Sequence, residues 1–395
     1  MARRARIAPP IMEWRPILAS HAALIAIRYA SGCTARWHAP KRAGWACRPR
    51  PDDHLGRKRI YTSSEAPMTE PTFPRLVADI GGTNARFGLV DAPDTHPDHI
   101  ATMRCAEFEG AEAAAQAYLD QLAARRGQAV RPRQAAFALA TAIEGDTVSM
   151  TNSDWVISRQ RVTDALDLER MVLLNDFEAL ALSLPHLRPA DTEPVGDSAP
   201  DPSLPMAVLG PGTGLGVAAC IPCAGSWRAL ATEGGHASAG AEDDFEAGIL
   251  HFARQRFDHV SAERLLSGPG LALLHEAICS MRGLRCETLS AEEITGRALD
   301  GSDTACSATV DTFCAMLGSF AGNVALTLGA RGGVFLGGGI APRLGKVLLR
   351  SQFRQRFESK GRFRDYLARI ATLVIMDTTA ALTGAARVLD QEPAS

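Results

Sequence analysis

The sequence predicts an α/β protein with mostly parallel sheets. From Leu76 onward, apolar runs of strand length alternate with longer helical patterns, and two of those runs bend through glycine-rich turns into further apolar runs. The composition, 46% hydrophobic and 22% charged, is that of an ordinary globular chain. At 395 residues it has room for about two or three domains.

The first 67 residues stand apart. They hold 13 Lys+Arg against 4 Asp+Glu, a net of +9, which leaves 29 against 40, a net of −11, for the rest. A body of that sign does not attract nucleic acid. The leader carries three of the five Trp and several Pro without an amphipathic period, so it is expected to be disordered. Arg3, Arg4 and Arg6 before the apolar run 16–27 weakly suggest a signal peptide, but His21 interrupts that run. The simpler expectation is that translation begins at Met68, directly before the first good strand.

That strand opens LVADIGGTNARFGLV (76–90), which reads as strand, tight turn and strand. Gly81 and Gly82 can take positive φ and bring amides close to an anion, Asp79 can hold a metal through water, and Thr83 can donate to a phosphate. The arrangement suits a Mg-nucleotide. It is not a Walker loop, because no Gly-Lys-Ser/Thr follows and the next element is a strand.

Residues 171–180, MVLLNDFEAL, place Asn175 and Asp176 where an apolar strand ends and a helix begins. Ligands of open α/β sheets bind at such ends. A plain helix N-cap by Asp176 is the equally good ordinary reading. A second glycine turn follows in MAVLGPGTGLGVAAC (206–220), 130 positions after the first, so that Gly82 and Thr83 align with Gly212 and Thr213. Either loop alone is a simple hairpin turn. Two of them, each offering a Thr, favour a phosphate clamp built from duplicated halves.

Further on, Glu233 and His236 flank the pair Gly234–Gly235, and His259 and Glu263 lead into LLSGPG (265–270). Carboxylates and imidazole near a glycine cradle make a polar pocket suited to several hydroxyls. Residues 310–328 carry apolar positions at helical spacing around Gly318 and Gly322, and read as a core helix closely packed on a neighbour. GGVFLGGGIAP (332–342) is a buried strand, three glycines and a helix start near Pro342, against which an adenine or ribose could lie. Nine scattered Cys without a framework spacing fit reduced thiols in a cytoplasm, and the lone CxxC, Cys220–Cys223, lies at a strand end. No run approaches the ~20 apolar residues that a membrane span needs.

DIGGTNARFGLV, LLNDFEALALSLP, LGPGTGLGV, EGGH, HVSAERLLSGPG and GGVFLGGGIAPR follow one another as they do in bacterial glucokinases of the proteobacterial type. The chain resembles that family from Leu76 to Leu389. The resemblance implies a two-domain actin-like ATPase (ribonuclease H-like) fold with a cleft between a small domain, 76–187 plus 377–395, and a large one, 188–376. It implies ATP and Mg2+ as cofactors, glucose as acceptor and a cytoplasmic enzyme, and it leaves a homodimer open. Asp176 then matches the catalytic base and Asn175, Glu233, His236 and Glu263 the groups that bind glucose hydroxyls. Ala78, Asp79, Ile80, Gly81, Gly82 and Thr83 match the first ATP segment, with Asp79 nearest a metal, and Gly212, Thr213 and Gly214 match the second. A carboxylate at a helix N-terminus is held in its charged form, so Asp176 is expected to be a weak base.

Ala140–Thr141–Ala142 and Ala78 depart from the family's usual residues, as local backbone changes. Zinc-dependent relatives place Cys just after the His, but Ala237–Ser238–Ala239–Gly240 stands here, and no structural zinc is expected. A sugar-responsive regulator would need a DNA-binding helix pair that the Pro-rich leader does not supply. An actin- or chaperone-like ATPase would lack the Glu233, His236 and Glu263 set. A kinase for mannose, fructose or glucosamine is the nearest alternative.

Overall fold

The computed structural model describes residues 73–391 apart from residue 152, so the basic leader and the expectations placed on it lie outside the described residues. The first sheet is built around β1 (Arg75–Ile80), which has neighbours on both edges and is buried almost throughout. That is why its sequence is an apolar run broken only by Asp79. β2 (Asn84–Val90) and β3 (Asp98–Arg104) fold back antiparallel, and β3 forms the exposed edge. α1 (Ala111–Arg126) crosses over to β4 (Gln134–Leu139), parallel to β1. After a small hairpin, β5 (Thr147–Ser149) and β6 (Val156–Ser158), α2 (Arg159–Leu166) leads to β7 (Arg170–Asn175), parallel to β4, and α3 (Asp176–Ser183) follows at once.

The second sheet repeats this plan. β8 (Thr192–Pro194) is its far edge, and β9 (Met206–Pro211), β10 (Leu215–Cys223) and β11 (Ser226–Thr232) form the antiparallel meander. Five helices come next: α4 (Asp244–Arg254), α5 (Ala262–Leu265), α6 (Gly268–Met281), α7 (Ala291–Leu299) and α8 (Thr304–Leu328). β12 (Gly333–Leu336) then pairs parallel with β9. α9 (Ile340–Leu344), α10 (Lys346–Arg350), α11 (Phe353–Glu358) and α12 (Arg364–Ala368) lead to β13 (Thr372–Ile375), parallel to β12. The strand orders are 3-2-1-4-7 and 11-10-9-12-13-8. The duplication read from the two glycine turns is therefore a duplication of whole sheets.

The expectation of mostly parallel sheets is corrected. Four of the ten strand pairings are parallel and six antiparallel. A glycine turn joining two apolar runs closes a hairpin, and a hairpin is antiparallel by geometry.

The helix read from 310 to 328 runs six residues further toward the N-terminus, where Asp303 Oδ1 accepts from the Ala305 and Cys306 amides. Gly318 and Gly322 lie on the backbone of α11, where a Cβ at Gly318 would collide with the Phe353 carbonyl. The last helix, α13 (Ala380–Val388), returns to the first sheet. Leu382, Ala385, Ala386 and Leu389 pack with Val77, Ala136, Ala138 and Leu174. Gly384 rests on the Ala179 carbonyl of α3, an approach that admits no side chain. Arg170 Nη1 donates to Leu389 O (2.8 Å) and its Nη2 to Gln391 O (2.9 Å), so a cation meets the negative end of that helix. Among the described residues all seven Cys are free, and no helix is long and apolar enough to cross a membrane.

Candidate active site

The end of β7 carries two polar side chains with different tasks. Asn175 is the N-cap of α3, since its Oδ1 accepts from the amides of Phe177 (2.9 Å) and Glu178 (3.3 Å). Its Nδ2 donates to Thr141 O (3.1 Å). Asp176 is thereby freed from capping and occupies the first helical position. The Phe177 amide also reaches Asp176 Oδ1 at 2.9 Å, which leaves Oδ2 to accept elsewhere. The Phe177 ring seats the start of α3 on β9 and β10, pressed on Gly210 and Gly216 where any side chain would strike it.

The weak-base expectation for Asp176 is corrected. Burial pushes its carboxyl up to about 6, the negative charge of Asp79 adds to the rise, and amide hydrogen bonds only partly oppose it. Desolvation outweighs the helix field because a field of that kind is worth at most about 2 kcal/mol. Burial raises Asp79 as well, against the pull of Arg86, whose Nη1 lies 3.1 Å from Oδ2. Asp79, Asp176 and Asp377 line one cavity of about 350 Å³ with Arg86, Thr378 and Gly337–Gly339. Arg86, Asp377 and Thr378 were not singled out in the sequence. Arg86 was within reach, because in a hairpin turning at 81–83 it stands directly across from Asp79.

Near the second glycine turn, a wider cavity of about 620 Å³ is lined by Gly212, Thr213, Gly268, Ser290, Gly339 and Arg343, among others. Gly338 bends toward that turn with φ +73, where a Cβ would lie 2.6 Å from Pro211 O. Glu263 supports the turn from beneath, as its Oε2 accepts from the Leu215 amide at 2.9 Å. Its Oε1 lies 4.0 Å from His236 Nδ1, and His236 Nε2 lies 3.9 Å from Glu233 Oε2. His259 Nε2 donates to His236 O at 3.0 Å and steadies the short 3₁₀ turn that carries the imidazole. Glu233, His236 and Glu263 thus form one row.

The first glycine turn is held differently from its sequence reading. Gly81, Gly212 and Gly214 all keep ordinary φ, and only at Gly214 does a neighbour, the Glu263 carboxylate, leave no room for a side chain. Gly81 N donates to Asn84 O at 2.9 Å, and the Cys105 amide donates to Thr83 O at 2.9 Å. Gly82 is half-buried and Thr83 is exposed. Ala78 and Ile80 are wholly buried in the core of the first sheet, with β2 and β4 paired on either side.

Two sheets of one plan, each opened by a glycine hairpin and with a half-buried carboxyl just past a strand end, Asp176 after β7 and Asp377 after β13, define the actin-like ATPase frame used by sugar kinases. Comparison with known proteins narrows the class. A family model described as Glucokinase matches residues 76–392. A glucokinase of Aromatoleum aromaticum is 49% identical over 319 residues, 81% of this chain and 95% of the relative. One from Chromobacterium violaceum is 49% identical over 80% of this chain and 88% of its own. The crystal structure of a glucokinase from an Antarctic psychrotroph is 36% identical and superposes with a TM-score of 0.75 over 81% of this chain and 99% of that one. A hexokinase of the ROK group from Thermus thermophilus, at 17% identity and a TM-score of 0.56, shares the fold. The chain belongs to the glucokinase family.

Proposed function

We propose that this protein transfers the γ-phosphoryl group of ATP to the 6-hydroxyl of glucose, giving glucose 6-phosphate and ADP. The observation that carries the reading is the half-buried Asp176 at the end of β7, held to its backbone by Oδ1 alone, lifted to about 6 and sharing a cavity with Asp79, Arg86 and Gly337–Gly339. In this reading Asn175, Glu233, His236 and Glu263 hold the sugar hydroxyls. Asp176 Oδ2 accepts the 6-hydroxyl proton as that oxygen bonds to phosphorus and the bond to ADP breaks. A loose transition state needs little push from the base, so the site works by position and charge.

ATP fits the two cavities in sequence. The wider one, with Gly212, Thr213 and Gly268, receives the nucleoside side, and the narrower one, with Gly337–Gly339 and Asp176, the transferring phosphate. Thr83 and the backbone of Gly81 and Gly82 approach the phosphates from the first sheet. Three carboxyls against one guanidinium in the narrower cavity fit a divalent cation, and Asp79 is the residue that would hold Mg2+ through water. When bound, that ion offsets phosphate charge. The small lobe is taken as 76–187 with 377–395, and the large as 188–376. The pairing of β8 with β13 and the packing of α13 on the first sheet support that division. A cytoplasmic setting accords with the reduced thiols.

The test is Asp176→Ala assayed for glucose 6-phosphate formation, with glucose binding measured in parallel and mannose, fructose and glucosamine as alternative acceptors. Turnover is expected to fall by about 10³-fold with binding retained. Phosphorylation at a near-normal rate would remove Asp176 from the role of base, and faster turnover of another hexose would move the substrate.

A further inference from the structure

Far along α6 from the glycine turn, three metal-ligating side chains come together that the sequence reading passed over. His275 and Cys279 are one helical turn apart on the buried face of α6, 3% and 1% exposed. The chain then turns at Gly283, which has φ +63, and brings the exposed Cys286 back alongside them. The imidazole nitrogen and the two sulfurs all lie within 4.8 Å of one another. His275 Nε2 and Cys279 Sγ are 3.7 Å apart. A tetrahedral zinc with bonds of ~2.3 Å to sulfur and ~2.05 Å to nitrogen would set them about 3.6 Å apart.

The orientation of the imidazole is fixed by a neighbour. Thr309 Oγ1 donates its proton to Ala305 O at 2.8 Å, so toward His275 Nδ1, 3.4 Å away, the hydroxyl acts as acceptor. Nδ1 therefore carries the ring proton and Nε2 turns its lone pair to the thiols. Second partners of this kind orient histidines in metal sites.

We propose that His275, Cys279 and Cys286 form a zinc site, a thiolate and imidazole set of three protein ligands with a solvent water in the fourth position on the open side at Cys286. Binding releases two thiol protons to solvent and changes no oxidation state. The absence of Cys after His236 speaks only to a site there. The ion ties the C-terminal half of α6 and its following loop to α8 through Thr309. That loop runs into Ser290 and Ala291, which line the wider cavity, so the ion braces one wall of it.

The experiment uses the full chain, tag-free, expressed with added Zn2+ and purified under reductant without chelator. Zinc is read by elemental analysis and by release to a chromogenic chelator after thiol blocking. Wild type is expected to hold about one zinc per chain, Cys279→Ser and Cys286→Ser at least tenfold less, and the control Cys223→Ser as much as wild type. Cd2+ added to the metal-free protein should raise a sulfur-to-metal charge-transfer band that Cys286→Ser lacks. Because Cys286 is exposed, that variant is expected to keep the wild-type circular dichroism, which separates loss of metal from loss of fold. No retained zinc together with no Cd2+ band in reduced wild type would overturn the site. Equal zinc in Cys286→Ser, or a Cys279–Cys286 disulfide forming in protein that takes up no metal, would do the same.

Discussion

Asp176 binds its proton more tightly in the folded protein than an ordinary aspartate does, its carboxyl being pushed up to about 6 by burial and by the charge of Asp79. Two outcomes follow with opposite signs. The acid limb of kcat/KM for the free enzyme is expected near pH 6, with activity falling below it as the base becomes protonated. A folded value above the unfolded one also means that ionisation costs stability. That penalty is absent below about pH 4, grows to about pH 6 and then stays constant, on the order of 3 kcal/mol. Asp176→Asn should therefore be more stable than wild type at pH 8, and the gap should close toward pH 4, as thermal melts at the two values would read. A pH-independent gap would place the effect elsewhere than in the charge. Glu233 and Glu263 separate in a second way. Glu263 also accepts from the Leu215 amide beneath the second glycine turn, so Glu263→Ala should raise KM for both glucose and ATP, about tenfold each, while Glu233→Ala raises it for glucose alone. At this scale the sequence offered the candidates, because carboxylates and imidazole beside glycines are unusual, and the structure brings His236 close to Glu233 and Glu263. The sequence could not show the sign of the Asp176 shift, since the helix field is written locally and burial by β9, β10 and Asp79 is not.

Among the elements, α3 depends on a joint that leaves no room. Its first turn is held by the Phe177 ring against Gly210 and Gly216. A methyl group at position 216 would push the ring away and carry Asp176 with it. Gly216→Ala is expected to lose about 100-fold in kcat and about 1–3 kcal/mol in stability, and a wild-type kcat would show that the joint can yield without moving the carboxyl. The glycine turns were legible as turns, and the junction of β7 with α3 was legible from an apolar run meeting Asn-Asp. The pairing sense was misread, because alternation of strand and helix suggests crossovers while each half begins with a meander. The identity of the cap at Asn175 was also hidden. Asn and Asp serve equally well at that position, and only the backbone path decides between neighbours.

For the molecule as a whole, duplication was legible in the residues themselves, whereas the return of the C-terminal segment came only from the family resemblance. Two glycine turns 130 positions apart announce two halves, but nothing local shows that α13 belongs to the first. Its link is made at long range, by Gly384 on the Ala179 carbonyl and by Arg75 and Arg170 on the final residues. Asp377, just ahead of that helix, comes back to the cavity of Asp79 and Asp176 by the same route. A chain ending at Ile375 should accordingly accumulate as insoluble protein, since Val77, Ala136, Ala138 and Leu174 lose their cover. Recovery of a soluble, monomeric product would show that the first sheet stands without it.

The same arrangement sets an order of events at the ribosome. The sheet that is synthesised first is the one completed last, for about 200 residues separate the end of β7 from the start of α13. At roughly 5–20 residues per second, that face waits some 10–40 s for its partner while the whole second half is being made. Nascent chains of this protein, halted at successive lengths, should therefore hold chaperones until the final helix clears the exit tunnel.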